Sequence, residues 1–241
     1  MQTDDILRQV VDLVSGLMPQ IEARRYDVAW KPDGSPVTQA DVLVETSVGA
    51  LLRSALPGVH VIGEEGYRDR DAAIDGDGWV AVLDPIDGTE NFCSGLKEWG
   101  LALSLWQDRA HAGSLLYLPE LGEQLMTGDT LPKRQSRIVG LSSSLGPEII
   151  GTLGELQEAR IVGCAVYNLL NVARGSFARF INPKGAYSWD LQAGLMLAAE
   201  HGCDILVDGR PYDGTLLQAG RRYRVDIRHR HDLHPGQGAL G

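Results

Sequence analysis

Apolar residues recur along positions 3–23 with a helical period. Ile6, Leu7, Val10, Val11, Leu13, Val14, Leu17, Met18 and Ile21 fall on one side of successive turns, which predicts an amphipathic packing helix with Asp4 and Asp5 at its start. A second helix is expected from Val42 to Leu56. The short apolar runs Val59 to Ile62 and Trp79 to Leu83 have the length of buried strands. Residues 99–106, 112–117 and 123–127 predict three more strands, split by turns at 107–109 and 119–122, which makes an antiparallel meander. The second half predicts a strand at 138–141, a helix at 147–159, a strand at 160–164, a helix at 166–174, a strand at 177–181 and a helix at 191–199. Such alternation implies an α+β protein of stacked helical and sheet layers. Residues 67–78, 128–137 and 182–190 predict loops, and the Arg- and His-rich stretch 221–241 predicts a tail, disordered over Pro235 to Gly241.

Composition narrows the classes of function. The 241 residues suffice for one large domain, and a net charge of −10 argues against a nucleic-acid polymer as partner. Cys93, Cys164 and Cys203 are odd in number and widely spaced, so neither a disulfide framework nor a zinc site is expected. With no leader pattern and no spanning apolar run, the expectation is a cytoplasmic protein without membrane contact. Asp75-Gly76-Asp77-Gly78 lacks calcium-loop spacing, and Ser142 to Ser144 have no base at motif spacing to make a nucleophile.

The chemistry gathers at Asp84-Pro85-Ile86-Asp87-Gly88-Thr89-Glu90-Asn91-Phe92. Asp84 falls at the end of the 79–83 strand. Pro85 predicts a strand stop and a turn that brings Asp87 back beside Asp84. A helix beginning at Gly88 and Thr89 would aim free backbone N–H groups at an anion near those acids. Glu64 and Glu65 end another strand, and Asp190 sits at a helix start. Hard carboxylate ligands with room for water and phosphate suit Mg²⁺.

Gly63-Glu64-Glu65, the central Asp84 to Phe92 motif and Trp189-Asp190-x-x-Ala193-Gly194 together resemble the inositol monophosphatase family of Mg²⁺-dependent, Li⁺-sensitive phosphomonoesterases, over roughly residues 5–219. The resemblance implies an αβαβα layered sandwich of the sugar phosphatase type, with halves of about 1–130 and 131–220 and a metal site in the seam between them. It implies two or three Mg²⁺ ions held by Glu64, Asp84, the Ile86 carbonyl, Asp87 and Asp190. It further implies a water oriented by Thr89 and Glu64, with Asp41 behind Thr89, attacking phosphorus without a covalent intermediate. Gly88, Thr89, Glu90 and Lys31 are the implied phosphate contacts, Lys31 lying on a mobile flap formed by residues 31–41. Asp41 also suits a helix N-terminus. Family members are commonly dimers, so a homodimer is expected.

The substrate side departs from the family pattern. Inositol-selective relatives carry a Glu seven residues before the last acid, and Pro183 stands there with Lys184 beside it. Lys184 is therefore a candidate contact to a second phosphate or a carboxylate, although a solvated loop charge is the commoner role for such a lysine. The expected substrate is a small soluble phosphate monoester of the inositol or sugar class. Alternatives are 3′-phosphoadenosine 5′-phosphate, histidinol phosphate and fructose 1,6-bisphosphate, or a catalytically silent binding module on the same scaffold. A dehalogenase-like aspartyl phosphatase is excluded by register, since Asp84 and Asp87 are three apart with Pro85-Ile86 between them.

Overall fold

The computed structural model of the chain describes residues 2–68, 71, 73–74, 77–132, 134–143, 146–154 and 156–230. Asp75, Gly76, Ser144 and the 231–241 stretch lie outside the described residues. Helix α1 (Thr3–Ala23) buries Ile6, Leu7, Val10, Val14 and Ile21, the face its period predicts. A hairpin of β1 (Val28–Trp30) and β2 (Pro36–Thr38) follows, in place of the loop expected there. Helix α2 (Gln39–Ala55) starts three residues earlier than expected because Thr38 and Asp41 form a capping box.

Strand β3 (His60–Gly63) pairs in parallel with β4 (Trp79–Asp87), and the short helix α3 (Thr89–Cys93) follows β4. Strands β5 (Gly100–Gln107), β6 (Ala110–Leu118) and β7 (Glu123–Met126) complete a five-stranded sheet of order β3-β4-β5-β6-β7. The last three form the expected meander. Helices α1 and α2 cover one face of this sheet, so β4 and β5 read as continuous apolar runs, sealed on both sides.

The second sheet collects β8 (Val139–Leu141), β9 (Ala159–Ile161), β10 (Arg179–Tyr187), β11 (Asp204–Val207), β12 (Arg210–Pro211) and β13 (Arg222–Arg228), in the order β12-β11-β13-β10-β8-β9. Helix α4 (Pro147–Leu153) is shorter than expected, since Ala159 already belongs to β9; Leu153 packs with Leu156 under Val139 and Leu141. Helices α5 (Ala165–Ala173) and α6 (Ser188–Glu200) run side by side between the two sheets, and α6 touches strands of both. Helices and sheets thus alternate in five layers, an α+β sandwich.

Two sequence expectations fail here. Residues 221–230 are not a tail. Tyr223, Val225 and Ile227 alternate inward and are buried, while Arg222, Arg224 and Arg228 alternate outward, which is the period of a strand inside a sheet. The arginines masked that alternation when read as a charge run. Likewise Asn182 to Tyr187 is not a loop, because β10 continues through it with an irregularity opposite β13. Among the described residues, no helix is long and apolar enough to cross a membrane.

Candidate active site

The motif acids owe their placement to the backbone of β4. Strand side chains alternate faces, so residues three apart should point in opposite directions. Asp84 pairs with Ala102 and Asp87 with Gly100, so three steps on β4 match two on β5. The extra residue is a β-bulge, and it returns Asp87 to the face that carries Asp84. Pro85 therefore does not end the strand, as was expected; it sits in the bulge, where a missing N–H breaks no ladder bond. Strand β4 then delivers the chain into Gly88, whose φ is +82°. A Cβ there would stand 3.0 Å from Cβ of Cys164, so glycine is required both for the turn and for the close approach of α5.

Ligand atoms of Glu64, Asp84 and Asp190 lie within 4.8 Å of one another. Asp84 is fully buried; its Oδ1 accepts the Ile86 N–H, while Oδ2 is buried without a hydrogen-bond partner. Burial pushes its carboxyl well above the usual range, and the charges of Glu64, Asp87 and Asp190 add to the rise. Asp190 is shifted the same way for the same reasons, burial first. It occupies the third position of α6, where it accepts the Tyr187 N–H at 2.6 Å. A cluster of buried like charges with an orphaned oxygen is stable as carboxylates only around a cation. The oxygen-only donor set and the partly open acids fit Mg²⁺.

Asp87 stands slightly apart from that trio. Its Oδ2 accepts the Val166 N–H at 2.6 Å and faces the Cys164 thiol at 2.9 Å, so the carboxylate lies across the first turn of α5. Its pKa rises to about 6, chiefly by burial. The Ile86 carbonyl accepts the Thr89 hydroxyl at 2.9 Å. The same hydroxyl lies 3.2 Å from Asp41 Oδ1, while Asp41 Oδ2 takes the Thr38 N–H and hydroxyl at 2.8 and 2.6 Å. One buried carboxylate thus caps α2 and holds Thr89 in place.

Lys31, at the tip of the β1–β2 hairpin, reaches Glu64 at 2.7 Å and Glu65 at 2.8 Å. Burial works against its charge, yet the two carboxylates outweigh burial and the ammonium stays charged above its ordinary range. Glu65 is raised to about 7, burial outweighing its bond to Lys31. Glu90 and Lys184 are not brought into the site: both are exposed and neither lines the cavity.

Three features escaped the sequence. Glu45 accepts the Glu65 N–H at 2.9 Å and packs so tightly on Gly63 that any Cβ there would meet its carboxylate at 2.5 Å, which fixes the turn carrying Glu64. Asn91 donates to the Glu98 and Val162 carbonyls, both at 2.7 Å, and ties α3 to the segment before α5. Arg25 donates to the Phe92 carbonyl at 3.0 Å and pairs with Glu120, which also receives the Trp99 indole N–H. Each is far in sequence from its partner, so no local pattern announces it.

Above the acids lies a cavity of about 430 Å³, lined among others by Lys31, Glu64, Asp87, Cys164, Asp190 and Arg222. Its volume suits a small phosphorylated molecule. The sequence profile of the inositol monophosphatase family matches residues 8–136, more than half of the chain. The chain belongs to the inositol monophosphatase family. The inositol-1-monophosphatase of Rhizobium meliloti is 27% identical over 232 residues, covering 84% of each chain. The histidinol-phosphatase of Mycobacterium tuberculosis is 37% identical over 91 residues, 38% of this chain and 34% of its own. Among solved structures, an IMPase/NADP phosphatase complexed with Mg²⁺ and phosphate superimposes with a TM-score of 0.78 at 18% identity, covering 94% of this chain and 90% of that one. At that identity the likeness speaks for the fold. As an inositol monophosphatase family phosphatase, the chain carries the motif acids on a family scaffold.

Proposed function

We propose that this protein hydrolyses a small soluble phosphate monoester, of the inositol or sugar phosphate class, with Mg²⁺ as cofactor and without a covalent intermediate. The observation that carries the reading is the convergence of Glu64, Asp84 and Asp190 around the orphaned Asp84 Oδ2. Glu64, Asp84, Asp87 and Asp190, with the Ile86 carbonyl, would hold two or three ions. Bound Mg²⁺ supplies positive charge against the phosphoryl oxygens and lowers the pKa of water.

The chain's own groups do the rest. Asp41 keeps the Thr89 hydroxyl directed, and Thr89 with Glu64 would orient the attacking water, Glu64 taking its proton. Backbone N–H groups of Gly88 and Thr89 would hold the phosphate, and Lys31 would close over it from the hairpin. Lys31 bridges Glu64 and Glu65 here, so Mg²⁺ would compete with the ammonium for Glu64, and substrate phosphate would compete with the two carboxylates for the ammonium. A soluble homodimer inhibited by Li⁺ agrees with the family. The histidinol-phosphatase match over 91 residues, 38% of this chain, keeps histidinol phosphate as a second reading.

The test is phosphate release from inositol 1-phosphate, histidinol phosphate, fructose 1,6-bisphosphate, 3′-phosphoadenosine 5′-phosphate and simple sugar phosphates, with and without Mg²⁺ and Li⁺. Mg²⁺-dependent release that Asp87→Asn lowers by orders of magnitude supports the reading. Absence of release from every compound, with Mg²⁺ bound, overturns it in favour of a silent module.

A further inference from the structure

Lys184, a candidate cation beside the substrate, is exposed at the β10 irregularity and does not line the cavity. Asn182 pairs with Val225 and Ala186 with Tyr223, so the register shifts between them, where the Asn182 side chain accepts the Gly185 N–H at 2.9 Å. Arg222 takes the place that Lys184 leaves. It is opposite Tyr187 in the β10–β13 register, and its guanidinium lies 4.3 Å from the Tyr187 ring centroid. Tyr187 in turn stacks on Trp189 at 4.7 Å, directly before the metal-site acid Asp190. Gly185, with φ +90°, lets the Arg222 stem approach, since a Cβ there would stand 3.3 Å from Arg222 Cβ.

The guanidinium is therefore pre-positioned on an aromatic shelf in the wall of the cavity. Among the described residues the guanidinium makes one hydrogen bond, a long one of 3.4 Å to the Gly185 carbonyl, and no salt bridge. Asp33 lines the same cavity and its charge reaches Arg222, but its carboxylate is hydrogen-bonded by the Ser35 N–H and hydroxyl rather than by the guanidinium. The other cation of the cavity, Lys31, is held by Glu64 and Glu65. A planar fork of N–H donors, stacked on an aromatic ring and in no salt bridge among the described residues, is built to receive an oxyanion.

Resting on the phosphatase reading above, we propose that Arg222 is a specificity residue that binds a second anionic group, phosphate or carboxylate, on the alcohol portion of the substrate. The preferred substrates are then bisphosphates or phosphorylated acids rather than neutral polyol monophosphates. Because the contact is remote from the reacting phosphorus, its loss should appear mainly in KM.

The experiment compares matched pairs with Mg²⁺: fructose 1,6-bisphosphate against fructose 1-phosphate, and 2-phosphoglycerate against glycerol 2-phosphate. Wild-type kcat/KM should favour the doubly anionic member of at least one pair by about tenfold or more. Arg222→Gln should bring that ratio near unity, and Arg222→Lys, which keeps charge but loses the stacked fork, should fall between. The pair that responds tells phosphate from carboxylate. A merely structural role would move both members of a pair together and leave the ratio. Equal wild-type rates within both pairs, or a ratio that survives Arg222→Gln in the folded variant, overturns the inference and leaves the phosphatase reading standing. No Mg²⁺-dependent release from any of the four compounds or from the wider panel would strike the phosphatase reading itself.

Discussion

Cys164 Sγ lies 2.9 Å from Asp87 Oδ2, joining the first turn of α5 to the end of β4. Burial raises the thiol pKa well above its ordinary value, and the Asp87 charge raises it further, so sulfur keeps its proton and serves as donor. Together with the Val166 N–H it engages Oδ2 and leaves Oδ1 as the Asp87 oxygen that would face a bound metal. Cys164→Ala should therefore raise the Mg²⁺ concentration for half-maximal activity by about tenfold, as losses around a metal site commonly do. Cys164→Ser, which restores a donor, should stay within about threefold of wild type on the same scale. A magnesium titration of both variants decides the matter, and equal behaviour of Ala and Ser would remove the thiol from the account.

Asp84 gives a stability prediction of opposite sign to its catalytic one. Its carboxylate is buried among Glu64, Asp87 and Asp190, so the metal-free protein carries repulsion that the amide of Asp84→Asn relieves. Melting in EDTA should rise by roughly 2–4 °C for each kcal/mol relieved. Added Mg²⁺ should stabilise the wild type and leave the variant little changed, with turnover lost. A variant that melts lower in EDTA would contradict the charge argument.

Stability of the metal-free protein should also fall as pH rises. Asp87 titrates near 6 and Glu65 near 7, with Asp84 and Asp190 higher than ordinary carboxyls, whereas unfolded Asp and Glu titrate near about 4. Between those limits the folded state holds more protons than the unfolded one, so the stabilisation is full below about pH 4 and drains away through pH 6 to 7. Denaturation in EDTA at pH 5.5 and 8 should show the higher midpoint at 5.5. Saturating Mg²⁺, which binds the deprotonated acids, should shrink or invert that difference.

Thr89 is held twice, by Asp41 and by the Ile86 carbonyl. Thr89→Ser keeps the hydroxyl and should retain most activity. Thr89→Ala removes the donor from a buried carboxylate and should lower kcat by about 10²–10⁴-fold. Parallel melting curves separate lost chemistry from lost folding, since an unpaired Asp41 oxygen costs about 1–3 kcal/mol.

The sequence was informative where the physics is local. Helix α1 follows from its period, the β5–β7 meander from alternation and turns, and the convergence of Glu64, Asp84 and Asp190 from acids that fall at element ends. Reading failed where the answer is non-local. The Asp84–Asp87 relation looked like a turn because a bulge shows itself only against the register of β5. Arg222 looked like part of a basic tail because its shelf, Tyr187, arrives from a strand thirty-five positions earlier. Glu45 carries no local signal, because its partners, Gly63 and the Glu65 N–H, come from the strand that follows its helix and the turn beyond.

The strand that carries Arg222 also lies between β11 and β10, both of which precede it in the chain. During synthesis the five-stranded sheet has all its strands once Met126 has emerged, whereas the second sheet stays split until Arg228 has. Asp190 belongs to the helix between them, and the wall opposite Tyr187 is the late strand itself. A nascent chain therefore cannot close the wall of the cavity until that strand is made, so the cavity is completed in a single step rather than accumulating along the way.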